Sequence, residues 1–252
     1  MEKDAVIGKR KIMLGSIDST QIFADALFKQ NKILHGTVVV TKDQYMGKGR
    51  NVNAWQSLSG KNFTGSYFIR HVRGDFNIGL LQMISAISVC NTINYFSKNK
   101  AMIKWPNDVL IGKKKISGIL INNYWRGSQI DATIMGIGIN VNQSEFEQNL
   151  VNATSLFIEN GAELDLNNIL HRLSWELNQW FPLLYQESDK IKPSYISLLS
   201  HFNQPVNMRI VATGEIKSGK IIDVNLHCHI LVQFTQDDIR IFDIDQVKLL
   251  LA

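Results

Sequence analysis

The chain is poor in several features that would have placed it at once. It has two cysteines, Cys90 and Cys228, far apart and in no C-x-x-C pair. A 252-residue chain of this kind buries a full core without disulfide staples. No apolar run approaches the roughly 20 residues a membrane helix needs, so nothing is expected to span a membrane. The opening "MEKDAVIGKRKIML" lacks the apolar stretch of a secretory leader. With the sparse cysteines, this sets the expectation of a reducing, cytoplasmic setting. Gly-Lys is never followed by Ser or Thr in a Walker A frame, and no G-x-S-x-G elbow occurs. A P-loop nucleoside triphosphatase and a serine hydrolase therefore have no support. Only four prolines occur, in keeping with an ordinary globular composition.

What is present is ordinarily globular: 45% hydrophobic and 19% charged residues, with a formal charge of +5. A pI near 9.1 favours anionic partners such as nucleotides, nucleic acid or acidic proteins. Strands are expected over 36–44 and 61–72, and a long helix over "FNIGLLQMISAISVCNTINYFSKN". "VLIGKKKISGILINNYW" reads as strands joined at a Gly-Lys turn, and "QIDATIMGIGINVN" as a strand ending in small residues. An amphipathic helix is expected over 166–186. From His201 onward, short β-type runs ("VNMRIVA", "GEIKSGKIIDV", "HILVQF", "IRIFDI") suggest a small barrel. The expected division is a first domain over 1–200 and a second over 201–252.

Four segments could carry chemistry. "YMGKGRNVNAW" sets Lys48 and Arg50 among Gly47 and Gly49 and closes on Trp55. Glycines permit close backbone approach, the cations suit phosphates, and a tryptophan stacks on a flat group or covers a pocket. An exposed basic hairpin with a buried tryptophan fits the same letters. "KWPNDVLIGKKKISG" places Lys104, Asn107, Asp108 and Lys115 in or beside strands, where unpaired polar groups are costly. An ion pair between Asp108 and a lysine is the plain alternative, and Lys113 and Lys114 read as a solvated turn. "GIGINVN" puts Gly136 and Gly138 at a strand end but lacks the third glycine of a dinucleotide fingerprint. "DSTQ", Asp18 to Gln21, taken alone reads as a helix cap. His227 and His229 flank Cys228 on an expected strand, with no partner ligands at metal spacing, and read as surface.

In this order the segments "DSTQ", "TKDQYMGKGRNVNAW", "KWPND", "KKISGIL" and "GIGINVN" resemble the biotin–protein ligase family. The tail "NQPVNMRIVATGE" resembles that family's small SH3-like domain. The resemblance implies an α+β catalytic domain with a mixed β-sheet and flanking helices, followed by an SH3-like β-barrel. It implies an enzyme that joins biotin to ATP as biotinyl-5′-AMP, with Mg²⁺. The biotin then passes to a lysine of a biotin carboxyl carrier domain. Ser19, Thr20 and Gln44 match the biotin-side positions, Gln21 beside them is a further binding candidate, and Gly47, Lys48, Gly49 and Arg50 match the adenylate loop. Arg50 matches a phosphate contact and Lys115 the lysine central to adenylation. Lys104, Asn107 and Asp108 match positions near phosphates and Mg²⁺, with Asp108 the metal candidate and a candidate base for the second step. Asn140 matches an adenine reader and Trp55 a neighbour of the adenine. Gly118, Gly136 and Gly138 match small pocket-lining positions. Lys48, Val52 and Asn122 depart from the family pattern. The first catalytic strand near Lys11 leaves no place for a winged helix, so DNA binding is not expected. A monomer and a homodimer both fit. A lipoate or octanoate ligase on the same scaffold is the nearest alternative. A basic nucleic-acid-binding module is a different class that the charge also allows.

Overall fold

The computed structural model describes residues 6–49, 54–71, 76–150 and 152–250. A parallel β-α-β unit comes first: β1 (Arg10–Ile17), α1 (Thr20–Lys29) and β2 (Thr37–Gln44). Then follow β3 (Phe63–Arg70), the helix α2 (Ile78–Phe96), β4 (Ala101–Lys104) and β5 (Asp108–Ile111). The hairpin β6 (Lys114–Arg126) and β7 (Gln129–Ile139) completes a mixed sheet of order β1-β2-β3-β7-β6-β5-β4. All its pairings except β1 with β2 are antiparallel.

The period of two along each strand sorts the two faces. On β7, Met135, Ile137 and Ile139 face the large core, while Ala132 and Ile134 join Val39, Phe68 and Ala24 beneath α1. The large-core side is covered by α2, whose Leu81, Met83, Ile84, Ile87 and Ile93 are wholly buried. A helix apolar around its whole circumference needs cover on several sides. Here the sheet lies on one side and later helices on another. Of the helices that follow, α3 (Leu156–Asn160), α4 (Leu166–Trp180), α5 (Leu183–Gln186) and α6 (Ile191–Leu198), it is α4 and α6 that pack on α2. The sequence suggests one helix over 166–186, but α4 stops at Trp180 and the chain restarts as α5. Pro182 is the reason: it has no N–H to give, and its ring would collide with the carbonyl four residues back.

Five strands form the second sheet: β8 (Pro205–Ile210), β9 (Ile216–Val224), β10 (Ile230–Gln233), β11 (Ile239–Phe242) and β12 (Val247–Leu250). Their order is β11-β10-β9-β8-β12, antiparallel throughout, as in an SH3-like domain. The inward residues Val206, Met208, Ile221, Val232 and Leu249 are continuous with the large core. The strand expected through His227 and His229 is instead the turn between β9 and β10, with Cys228 in the left-handed region at φ 63°. Among the described residues no group of three His, Cys, Asp or Glu side chains could hold a metal ion. No described helix is long and apolar enough to cross a membrane.

One buried group ties stability to pH. His71 bonds to Tyr185 Oη at 2.9 Å and to Thr133 Oγ1 at 2.8 Å. Thr133 gives its own proton to Asn123 Oδ1 at 2.7 Å. It therefore accepts from His71 Nε2–H, and Nδ1 accepts from Tyr185: a neutral ring with both nitrogens satisfied. Burial, with a smaller push from His35 and a partial offset from Asp131, lowers the His71 pKa to about 4. Between pH 6.5 and 4 the unfolded chain takes up a proton that the folded chain refuses. This stability is therefore complete above pH 6.5 and is lost as pH falls towards 4, up to about 3 kcal/mol. Thermal melts at pH 7 and pH 4.5 should show a smaller acid-induced fall in Tm for His71→Gln than for the parent. Equal falls would contradict the assignment.

Candidate active site

The α1 face of the sheet changes character along its strands. Beneath α1 it presents Phe68, Ala132 and Ile134. Two and four residues further along, the same face presents Ser66 and Thr64 on β3, and Gly136 and Gly138 on β7. The first turn of α1 reaches only the near edge of this part, at Ser66 and Gly136, and a cleft of about 650 Å³ opens over the rest. The alternate glycines of "MGIGI" are its floor.

One end of the cleft is a hydrogen-bond network. Gln44 Oε1 accepts from Thr20 N at 2.9 Å and from Thr20 Oγ1 at 3.1 Å. Thr20 Oγ1 lies 2.9 Å from Ser66 Oγ, which donates to Gln21 Oε1 at 3.2 Å. Gln21 Nε2 donates to the Ile134 carbonyl at 3.1 Å. Ser19, Thr20, Gln21, Gln44 and Ser66 are all buried. The "DSTQ" segment is therefore more than a cap. Ser19 stands at the N-cap of α1 yet makes no capping bond through its side chain. The Thr20 hydroxyl is spent on the network instead. A Cβ on Gly136 would lie 2.3 Å from Gln21 Oε1, so only glycine leaves room for this arrangement.

The other end is cationic. Among the described residues, four lysines line the cleft, Lys48, Lys104, Lys115 and Lys248, against two carboxylates, Asp108 and Asp245. Lys115 reaches it through a bulge. Val109 pairs with Ser117, but Leu110 pairs with Lys115, so β6 carries one extra residue there. The slip puts Ile116 and Ser117 both inside and turns Lys115 onto the cleft face with Gly118. A Cβ on Gly118 would lie 3.3 Å from both Cε and Nζ of Lys115. Bulges commonly re-aim a side chain in this way beside a functional site. Lys115 Nζ pairs with Asp108 Oδ1 at 2.6 Å. Lys104 stands opposite Asp108 in the β4–β5 register. Burial holds the Lys104 ammonium below the usual lysine range; Asp108 offsets this and Lys115 adds to it.

Trp55 lies across the floor. A Cβ on Gly138 would come within 2.2 Å of its Cε2 and 2.6 Å of its Nε1. The loop that carries it is pinned by Trp55 N donating to the Gly47 carbonyl at 2.9 Å and by a bridge between Lys48 and Ala54. Lys48 and Gly49 line the cleft. Gly47 sits just behind them, against Gln44 and the Trp55 backbone. Arg50 and Val52 lie outside the described residues.

Two asparagines are placed differently from the rest. Asn107 lines the cleft but gives Nδ2 to the Ile119 carbonyl at 2.8 Å, which fastens the turn before β5 onto β6. Asn140 is buried just past Gly138, outside the lining, with Nδ2 on the Thr154 carbonyl at 3.0 Å. Among the described residues, its Oδ1 and Trp55 Nε1 are buried without hydrogen-bond partners. Buried atoms of this kind call for an explanation. Asn122 is exposed and outside the cleft, so that departure does not touch the lining.

Several lining residues escaped the sequence reading. Thr64 and Ser66 were available as polar residues alternating with Phe68 in "FTGSYF". Asp245, in the turn before β12, and Lys248 and Leu249 on β12 line one side of the cleft, and no local pattern announced β12.

The model of the biotin/lipoate A/B protein ligase family matches residues 13–140, which hold every sequence-derived site residue. A bifunctional ligase/repressor BirA from Bacillus spizizenii is 33% identical over 174 residues, 68% of this chain and 53% of that protein. The chain thus spans about half the length of that relative. A biotin–[acetyl-CoA-carboxylase] ligase from Paracoccus denitrificans is 26% identical over 218 residues, 84% of this chain and 88% of that protein. The biotin protein ligase from Aquifex aeolicus, solved in complex with biotin and ATP, superposes with a TM-score of 0.77 at 25% identity, covering 97% of this chain and 100% of that one. On the family match, and with a fold and cleft that agree with it, the chain belongs to the biotin/lipoate A/B protein ligase family.

Proposed function

We propose that this chain is a biotin–protein ligase whose first domain, 1–200, and SH3-like domain, 201–252, enclose one adenylation cleft. The observation that carries the reading is the polarity of that cleft. A neutral hydrogen-bonding pocket, Thr20, Gln21, Gln44 and Ser66, lies at one end, and Lys115 is aimed over Gly118 at the other. A small acid with a polar ring would seat its ring in the network and its carboxylate towards the lysines. Its carboxylate oxygen attacks the α-phosphorus of ATP, the bond to pyrophosphate breaks, and biotinyl-5′-AMP forms. Both reactants are anionic. Lys115 and Lys104, with Arg50, offset the repulsion and the charge that develops on phosphorus.

Trp55 covers the adenylate, and Lys48 and Gly49 offer a cation and backbone N–H groups to it. Asn140 Oδ1 and Trp55 Nε1, unpaired among the described residues, are an acceptor and a donor of the kind a purine edge could satisfy. Among the described residues the lining holds two carboxylates, Asp108 and Asp245. This suits Mg²⁺, which binds by one or two carboxylates together with substrate phosphates. Asp108 would hold it, and it would supply charge neutralisation at the phosphates. In the second step a carrier-domain lysine amine attacks the acyl carbon and AMP leaves; Asp108 orients or accepts the proton. The Paracoccus relative's name, a biotin–[acetyl-CoA-carboxylase] ligase, supports this acceptor class.

The experiment is incubation with ATP, biotin and a purified biotin carboxyl carrier domain, read by the carrier's mass. One biotinyl increment is expected; no increment would reject the reading. Titration against lipoate separates the neighbouring activity, because four polar side chains facing the acid suit a ureido ring and leave a plain alkyl chain poorly matched. Gly136→Ala should weaken biotin binding by about 10–100-fold through displacement of Gln21, a cost of one to two buried hydrogen bonds. Unchanged affinity by calorimetry would place biotin elsewhere.

A further inference from the structure

We propose that the β9–β10 turn, Asn225 to His229, is a positioning element for the cationic end of the cleft and acts through Trp105. The proposal rests on the adenylation reading above for its kinetic consequence, though not for its structural one. The turn is built around Asn225. The Asn225 side-chain Oδ1 accepts from His227 N and from His229 N, each at 3.0 Å. Its backbone carbonyl accepts from Cys228 N at 2.9 Å, and its N–H donates to the His229 carbonyl at 2.9 Å. These bonds hold Cys228 at φ 63°, a region a non-glycine residue seldom keeps unless its surroundings over-determine it. So held, the Cys228 carbonyl accepts from the Trp105 indole Nε1–H at 2.7 Å, in a buried contact. The dock is tight: a Cβ on Gly79, at the start of α2, would lie 2.2 Å from the His227 carbonyl carbon.

Trp105 begins a three-residue turn in which each residue is tied to a different element. Trp105 is tied to the second sheet, Pro106 to α6 by the Tyr195 hydroxyl at 2.7 Å, and Asn107 to β6 by the Ile119 carbonyl at 2.8 Å. The residues flanking this turn are Lys104 and Asp108, and Asp108 holds the Lys115 ammonium. The second sheet therefore reaches the phosphate end of the cleft through Trp105, itself a lining residue, by a route separate from the β12 residues that line it. The acid pocket, on α1, β2 and β3, is not on this route.

Asn225→Ala tests the proposal, with Asn225→Asp as the conservative variant that keeps an acceptor oxygen. Asn225→Ala is expected to raise the KM for ATP and slow adenylation by about tenfold, within the ~10²-fold that a 1 Å misplacement costs. Biotin affinity should stay at the parent value, hydrogen exchange at the Trp105 indole should accelerate, and Asn225→Asp should restore both kinetics and protection. If Asn225→Ala does not fold, Trp105→Phe, which removes the donor and keeps a buried ring, should give the same kinetic split. Parent-like exchange and kinetics in Asn225→Ala would overturn the proposal. So would a loss of biotin affinity in step with the loss of ATP affinity, since that marks general destabilisation. Should the parent form no biotinyl-adenylate, the functional reading fails on its own, while the indole exchange still decides whether the turn holds Trp105.

Discussion

Lys115→Ala is expected to lose about 10²–10³-fold in the rate of biotinyl-adenylate formation, the usual cost of removing one preorganised donor from a developing charge. The loss should fall on kcat more than on biotin affinity, because Lys115 lies at the far end of the cleft from the Thr20–Gln44 network. Folding should be almost unaffected. The Lys115–Asp108 pair is partly exposed, with side-chain exposures of 42% and 32%, and such pairs contribute about 0–1 kcal/mol. The bulge that aims the side chain is a backbone feature and survives the substitution. Single-turnover assays with unchanged Tm would support this. Parent-level adenylation by a folded Lys115→Ala would remove Lys115 from the chemistry. Lys115→Arg should recover only part of the rate, since a planar guanidinium fork sets its charge and donors differently from a compact ammonium.

The second large effect is expected at Gly138. A Cβ there would stand 2.2–2.6 Å from three atoms of the Trp55 indole. Either the tryptophan leaves the floor or the sheet shifts beneath it, and the former is easier. Gly138→Ala should therefore cost on the order of 10²-fold in kcat/KM for ATP, with biotin affinity retained. The tryptophan emission should also change. Gly118→Ala is a graded control: its nearest neighbours, Lys115 Cε, Lys115 Nζ and Trp55 Cζ3, would all stand at 3.3 Å. Small shifts of flexible groups relieve that contact, so a much milder loss is expected. Equal losses in the two variants would mean that the Trp55 position is not the cause.

Much of this site was legible because its chemistry is local. Cations among glycines, a proline-fixed turn and alternate small residues at a strand end are written in adjacent letters. What was hidden depends on pairing. "KKISG" does not reveal that Ile116 is the extra residue of a bulge, because the slip exists only against Val109 and Leu110 of β5. "DST" reads as a cap because the hydroxyls cannot announce Ser66 and Gln44 as competing partners. β12 alternates only twice in four residues, too few for a period to stand out, yet it supplies a wall of the cleft. His227 and His229 look like strand neighbours in sequence. The turn they occupy is set by Asn225, whose side chain closes it on both sides. Asn140 was legible as a polar residue at the end of a strand, but its burial behind the cleft follows from the segment at Thr154, which the chain brings there from beyond β7.

On the proposed function, one cleft joins a small acid to a nucleotide through its carboxylate. The most direct measurement omits the acceptor: the chain is mixed with ATP and biotin, and the protein-bound small molecules are identified by mass spectrometry. Biotinyl-5′-AMP retained on the parent chain, with pyrophosphate released in equal amount and neither formed by Lys115→Ala, is the expected result. Bound biotin and intact ATP with no adenylate, or lipoyl-adenylate formed as readily as the biotinyl compound, would contradict it.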